Sequence, residues 1–241
     1  MNQEKSISYD LPLRIFHFLF AVLFITSFSI AKFVDDESIL YTFHMISGIL
    51  MTFIIILRVF WGFFGSKFSK FSSFQLKPSL LVKYLKSIVI GESKRYLGHN
   101  PASSYAAIAM FLLTIALFLS GLFMVKGVNK HFFEEVHELS ANTFIVLVIV
   151  HIAGVLFHQF RHDDGLITSM FNGQKNAVFG EVGISSTKRF VAFLFIALFV
   201  MFSLYLKMNF NFEKQSLNLF GTHLQLGEIE NAQDHDDDDD D

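Results

Sequence analysis

The sequence of 241 residues contains no cysteine, only three prolines and a single tryptophan. Without cysteine the chain can form no disulfide, no thiolate metal site and no covalent cofactor attachment through a Cys-x-x-Cys-His motif. Charge is also scarce, because 17% of the residues are charged, against about 25% in soluble globular domains. These shortages argue against a water-soluble enzyme, a disordered chain and a disulfide-framed secreted protein.

What the sequence has in abundance is apolar residues, which make up 52% of the chain and include 32 phenylalanines. Five stretches reach the length of about 20 mostly apolar residues that a transmembrane helix needs. They cover about 13–33, 42–64, 106–125, 136–157 and 190–206. Because backbone groups in lipid must satisfy one another, we expect helices and an all-α integral membrane protein.

The distribution of lysine and arginine predicts the orientation of these spans. Residues 65–100 contain seven basic side chains and one acidic side chain, whereas residues 34–41 contain three acids and no base. We therefore expect a cytoplasmic N-terminus and a C-terminus on the opposite face of the membrane.

The long basic loop contains a further helix signal at about residues 79–90. Pro78 precedes the segment and Gly91 follows it, and this is the usual punctuation of a helix. Its leucines and lysines fall on different faces, which favours a helix in the headgroup layer. An ordinary solvated loop helix is the alternative.

The net charge of −3 combines two unlike regions. Residues 1–212 have a net charge of +6, and residues 213–241, which end in six aspartates at 236–241, have a net charge of −9. An acidic block of this kind is usually a solvated tail. The alternative is electrostatic docking of a basic cytochrome c or a cation.

Four histidines lie in or at the ends of the spans, where ionisable side chains are costly and usually functional. A single one of them could be a hydrogen-bonded core residue. In the fourth span, however, His137 and His151 are separated by 14 residues, or about 21 Å along a helix. Fourteen residues fall only about 40° short of four full turns, so both imidazoles face the same way.

The depths of the four histidines predict two pairs, His17 with His151 and His44 with His137. Each pair could supply two axial imidazole ligands to a haem iron held between helices. Zinc would need a third or fourth ligand. The spacing therefore favours one haem site near each face of the membrane.

Two arginines are candidates for binding haem propionates. Arg58 follows His44 by 14 residues on the second span, and Arg14 precedes His17 by three residues on the first. Alternatively, both are boundary charges of the cytoplasmic face. Three glycines in the spans would either admit a flat macrocycle or pack helices together. These glycines are Gly48, Gly121 and Gly154.

Several short motifs give the sequence a family resemblance over about residues 7–175. The motifs are 9–17 (YDLPLRIFH), 44–48 (HMISG), 58–65 (RVFWGFFG), 98–101 (GHNP) and 137–142 (HELSAN), followed by His151. The sequence resembles the bacterial cytochrome b561 family, which is similar to the cytochrome b subunits of nickel–iron hydrogenases and formate dehydrogenases.

This resemblance implies a four-helix core with two non-covalent b-type haems, whose ligand positions match His17, His44, His137 and His151. It also implies electron exchange across a bacterial inner membrane between quinone and a periplasmic redox partner. The predicted organisation is a cytochrome b core over 7–175, a fifth span over 190–206 and an acidic periplasmic tail over 207–241.

Some functional alternatives remain open at this point. The periplasmic partner could be a cytochrome c, or the chain could be the membrane-anchoring cytochrome b subunit of a periplasmic oxidoreductase complex. A His-lined metal-ion transporter is a rival from another class, and a nucleic-acid partner is not expected. His158, seven residues after His151, is either an interfacial polar residue or a group that transfers protons to a quinone.

Overall fold

The computed structural model describes residues 4–92 and 94–227, and most of them are helical. The helices are α1 (Leu11–Phe33), α2 (Thr42–Phe64), α3 (Pro78–Ile90), α4 (Pro101–Val125), α5 (Lys130–His162), α6 (Leu166–Asn172) and α7 (Arg189–Asn209). Within the described residues five helices, α1, α2, α4, α5 and α7, are long and apolar enough to cross a membrane. The predicted helical membrane bundle with a fifth C-terminal helix is confirmed.

Local capping signals determine where several of these helices begin and end. The Asp10 side chain accepts a hydrogen bond from the Leu13 amide at the start of α1, at 3.0 Å. Asn100 does the same for α4, at 2.8 Å from the Ser103 amide. Helix α3 ends at Gly91, whose φ of 88° lies in the left-handed region that glycine adopts without a steric penalty.

The membrane helices pack as two hairpins with α7 outside them. Helix α1 packs along α2 and α4 along α5, while α2 contacts α4 and α7 contacts both α1 and α2. Phe16, Ile54 and Phe111 bring three of these helices together in one buried apolar cluster. Helix α5 makes its main backbone contacts with α4 and α6, so the histidine-bearing face of α5 is left to side chains and ligands.

The two ends of the bundle differ in their connections. We call the end that contains residues 4–10, 65–100 and 163–188 the basic side, and the other end the opposite side. On the basic side, strand β1 (Lys5–Ile7) pairs antiparallel with β2 (Gln174–Asn176). This pairing ties the segment before α1 to the segment after α6.

A three-stranded antiparallel sheet covers part of the opposite side. It consists of β3 (Phe210–Asn211), β4 (Ser216–Leu219) and β5 (Thr222–Gln225). Leu217 and Leu224 turn inward and are buried with Leu206 of α7 and Ile49 of α2.

The sequence interpretation treats everything after residue 206 as an acidic tail, and the structure differs from it at residues 210–225. Strands of two to four residues are too short for alternation of apolar and polar residues to stand out in a sequence. The predicted run of aspartates at 236–241 lies outside the described residues.

Candidate functional site

Near the opposite side, His44 of α2 and His137 of α5 face each other across the bundle. Their ring centroids are 6.1 Å apart and their planes differ by 66°. Nδ1 of His44 lies 2.9 Å from the carbonyl oxygen of Ser27, and Nδ1 of His137 lies 2.9 Å from Oγ of Ser120. These contacts fix both rings through Nδ1 and leave Nε2 as the candidate ligand atom of each.

The separation of this pair fits a haem iron bound between the two rings. Two imidazole nitrogens at about 2.0–2.1 Å from a shared metal ion place the ring centroids roughly 6 Å apart. Metal-bound histidines also usually engage their second ring nitrogen in a hydrogen bond, as both Nδ1 atoms do here. The donor set therefore suits a bis-imidazole haem.

His17 of α1 and His151 of α5 form the second pair, nearer the basic side. The two side chains are close enough to interact electrostatically. His17 is exposed in the polypeptide and His151 is half-buried. The structure thus brings together the same two pairs that the spacing predicts, and their role as haem ligands stays a prediction.

Space beside two of the predicted glycines is consistent with a bulky planar ligand. A Cβ atom built on Gly48 or on Gly154 would meet no other atom within 4 Å. Gly48 lies four residues after His44, and Gly154 lies three residues after His151, so each glycine shares a helix face with a histidine. Gly121 differs, because a Cβ there would lie 3.6 Å from Cε1 of His137.

Arg58 lies among aromatic rings with one nitrogen left over. Its side chain is 2% exposed, and its guanidinium carbon lies 5.3–5.9 Å from the ring centroids of Phe16, Phe71 and Phe111. Within the described part of the chain, Nη1 is buried without a hydrogen-bond partner. A buried charged donor of this kind is costly unless an anion pairs with it.

Arg14 has a similar surplus of hydrogen-bond donors. Its guanidinium donates to the carbonyl oxygen of Phe171, while its Nε is buried without a partner among the described residues. Both predicted arginines therefore keep a donor for a carboxylate, as haem propionates would require.

Sequence reasoning missed a buried carboxylate beside these arginines. Asp10 is 0% exposed, and besides capping α1 it accepts hydrogen bonds from Trp61 Nε1 at 3.0 Å, Ser66 Oγ at 2.5 Å and Ser69 Oγ at 2.7 Å. It fixes the first turn of α1, from which Arg14 and His17 project. The signal that could have revealed it is its position before a helix-starting proline in the family motif.

His99 of the 98–101 motif is a second residue that was not assigned a role. Its ring contacts those of Phe74 and Tyr9, at centroid distances of 4.8 and 5.8 Å, and its Nδ1 is buried with no partner in the described residues. Burial, followed by the charges of Arg58 and Lys175, lowers the pKa of His99 to about 3. The side chain is therefore neutral at physiological pH.

Clusters of several metal-ligating side chains were also sought. Over residues 4–92 and 94–227, no three histidine, aspartate or glutamate side chains come together in a way that could hold a metal ion. Two imidazoles per site suit haem, in which the porphyrin supplies the other ligands, better than zinc.

A helical membrane bundle with opposed histidines at two depths is typical of membrane cytochromes of the b type. The family model described as prokaryotic cytochrome b561 matches residues 8–173, and the chain belongs to this family. It is therefore a multi-pass membrane cytochrome that binds haem b and transfers electrons.

Two relatives illustrate where the chain lies within this family. It is 23% identical over 219 residues to the probable Ni/Fe-hydrogenase 1 B-type cytochrome subunit of Escherichia coli strain K12, covering 72% of this chain and 92% of that protein. It is 22% identical over 217 residues to the probable Ni/Fe-hydrogenase B-type cytochrome subunit of Rhizobium leguminosarum bv. viciae, covering 73% and 90%. No solved structure matches the chain.

Proposed function

We propose that the chain transfers electrons across the membrane through two haems, between the quinone pool and a redox partner on the opposite side. One haem is bound by His17 and His151, and the other by His44 and His137. The observation that best supports this proposal is the pair His44 and His137, whose 6.1 Å centroid separation suits a shared iron.

When bound, haem supplies a reversible one-electron iron couple, and the side chains of this chain hold and tune it. Ser27 and Ser120 orient the imidazoles of one pair through Nδ1. Arg14 and Arg58 bind propionates near the other pair. The two levels are about 21 Å apart along α5, so together they reach across most of a bilayer.

The orientation that we propose places the basic side in the cytoplasm and the C-terminus in the periplasm of a bacterial inner membrane. The excess of lysine and arginine over residues 65–100 supports it, because such loops stay on the cytoplasmic face. Quinone chemistry then takes place at the His17–His151 haem, and the periplasmic partner exchanges electrons with the His44–His137 haem.

The names of the relatives favour one kind of partner. Both matched proteins are described as cytochrome subunits of Ni/Fe hydrogenases, and the match covers 90% or more of each. We therefore propose that the chain serves as the membrane cytochrome subunit of a hydrogenase-type complex. A free periplasmic cytochrome c is the second candidate.

Haem content and single histidine variants test the proposed ligands. We expect purified wild-type protein to show a b-type reduced-minus-oxidised spectrum with two haems per chain. His151→Ala and His137→Ala should each leave one haem, because each removes one ligand from a different pair. The control is His131→Ala, at a side chain on α5 that is 85% exposed, which should keep both haems.

A chain without a b-type spectrum, or with a single haem that both variants abolish, would contradict the two-site proposal. Bound transition-metal ions in place of haem would instead support the metal-ion transporter. Purification in mild detergent from its native membrane tests the partner separately. A hydrogenase subunit that co-purifies supports the complex, whereas reduction by a soluble cytochrome c alone favours the second candidate.

A further inference from the structure

Away from the histidine pairs, the basic side contains three buried ionisable side chains in contact, His158, Asp164 and Lys175, which we call the relay group. Their exposed fractions are 6%, 0% and 2%. His158 Nε2 lies 3.1 Å from Asp164 Oδ2, and Lys175 Nζ lies 3.6 Å from the same oxygen. An imidazole and an amine therefore meet at one carboxylate oxygen.

Burial of this group is poorly explained by stability alone. Removing ions from water costs several kcal/mol each, and apolar side chains often stabilise such a position equally well. The group also joins separate parts of the chain, namely the end of α5, the turn that follows it and strand β2. Buried, interacting titratable groups next to a cofactor site are candidates for function.

The outer end of the relay group reaches a cleft on the basic side. The ring of His162 lies 4.6 Å from that of His158, centroid to centroid. His162 in turn lines an open cleft of about 530 Å³. The other residues that line the cleft are Gly91, Phe157, Phe160 and Arg161. A proton on His158 thus has a titratable neighbour at the surface.

The inner end of the relay group acts on residues beside the His17–His151 pair. Burial, and then the charge of Asp164, raises the pKa of Tyr9, whose ring contacts that of His99. Lys175, Arg58 and His151 all interact electrostatically with His99. The relay group therefore lies between the cleft and the level of the inner haem.

We propose that the relay group conducts protons between the cleft and the quinone reaction at the His17–His151 haem. This inference rests on the proposed quinone function. Oxidation of one quinol to quinone passes one electron to each of two ferric haem irons and releases two protons. Each proton moves from Lys175 Nζ to Asp164 Oδ2 and from there to His158 Nε2, and quinone reduction uses the same route in reverse.

The charges around the group suit this role. Burial lowers the pKa of Lys175 although Asp164 and Glu181 oppose the change, so that its amine releases a proton more readily. Burial raises the pKa of Asp164, but His158 and Lys175 outweigh it and hold that pKa below the ordinary value. The other titratable groups that face the cluster are Tyr9, Tyr84, Arg95 and His162.

The test compares two reductants in stopped-flow experiments on purified, haem-loaded protein. A short-chain quinol must release protons when it reduces the haems, whereas dithionite need not use the relay group. We expect Asp164→Asn and Lys175→Met to slow reduction by quinol at least about tenfold and to flatten its pH dependence. Reduction by dithionite and the haem spectrum should stay unchanged. The matched control is Asp163→Asn, at the exposed neighbouring carboxylate.

Wild-type rates with quinol in either haem-loaded variant would overturn the relay. If both variants lose haem, the solvent isotope effect on the wild type decides, since rates equal in H₂O and D₂O would also overturn it. Wild-type protein that dithionite reduces and quinol does not would instead overturn the proposed quinone function, and the relay with it.

Discussion

At the scale of single residues, the carboxylate of Asp10 holds the first turn of α1 against the end of α2. Its two oxygens accept four hydrogen bonds, from the Leu13 amide and from the side chains of Trp61, Ser66 and Ser69. Because the group is fully buried, its negative charge is poorly screened by water. It therefore acts on both the geometry and the electrostatics of the site that includes Arg14 and His17.

We expect Asp10→Asn to raise the midpoint potential of the His17–His151 haem and to leave that of the His44–His137 haem unchanged. Removing a negative charge near an iron favours the reduced form, and the second haem lies about 21 Å away. The new amide would also face hydrogen-bond donors, so stability should fall by about 1–3 kcal/mol. Redox titration with optical detection measures both potentials, and thermal release of haem measures the stability.

Ser69→Ala is the matched control for this charge effect, because it removes one hydrogen bond and no charge. It should cost less stability than Asp10→Asn and shift neither potential appreciably. Equal shifts of the inner potential in the two variants would show that Asp10 acts through structure and not through its charge.

The sequence predicts the histidines at this scale much better than it predicts Asp10. Regular helix geometry converts a spacing of 14 residues into a shared face, so His137 and His151 can be placed from numbering alone. The partners of Asp10 lie more than 50 residues away, and two of them, Ser66 and Ser69, come from a loop without periodicity. No local pattern connects such residues.

At the scale of elements, α5 supplies one histidine to each pair and a large aromatic side chain between them. Phe144 lies seven residues from both His137 and His151 and is 1% exposed. Its ring centroid is 4.9 Å from that of Phe24 and 6.2 Å from that of Phe20, both on α1. This stack joins α5 to α1 midway between the two histidine levels.

We expect Phe144→Ala to destabilise the bundle by about 3–5 kcal/mol, since it leaves a cavity in a closely packed region. The haems should be released at a lower temperature, while both midpoint potentials and the haem count at low temperature stay near wild type. Leu139→Ala, at a 70% exposed position of the same helix, is the control and should change stability little. A Phe144→Ala protein as stable as this control would contradict the packing role of the stack.

Element positions follow from the sequence where one physical rule dominates. The five spans are long apolar runs, and the length of the bilayer core makes such runs readable. The pairing of β1 with β2 joins segments more than 160 residues apart, and the strands of the other sheet are stabilised by burial against α2 and α7. Short strands of this kind depend on tertiary contacts that the local sequence does not encode.

At the scale of the whole molecule, the charges are separated between the two ends of the chain. Residues 1–212 have a net charge of +6, and the last 29 residues have a net charge of −9. Under the proposed orientation the basic excess lies at the cytoplasmic face, and the acidic tail extends from the periplasmic face. The electron-accepting or electron-donating partner on that face would therefore meet a strongly negative segment beside the His44–His137 haem.

We expect deletion of residues 228–241 to slow electron exchange with a basic cytochrome c at low ionic strength, because the deleted segment contains nine acids and no lysine or arginine. Charges of one sign raise association rates with an oppositely charged partner, and salt screens this attraction over about 10 Å at 0.1 M. The measurement is the second-order rate of haem oxidation by the cytochrome at several salt concentrations. Full-length and truncated proteins should converge at high salt and should show the same haem content and potentials. Equal rates at low salt would mean that the tail does not dock this partner. The charge separation would then serve membrane orientation and solubility, and recognition would fall to the surface around the sheet of β3, β4 and β5.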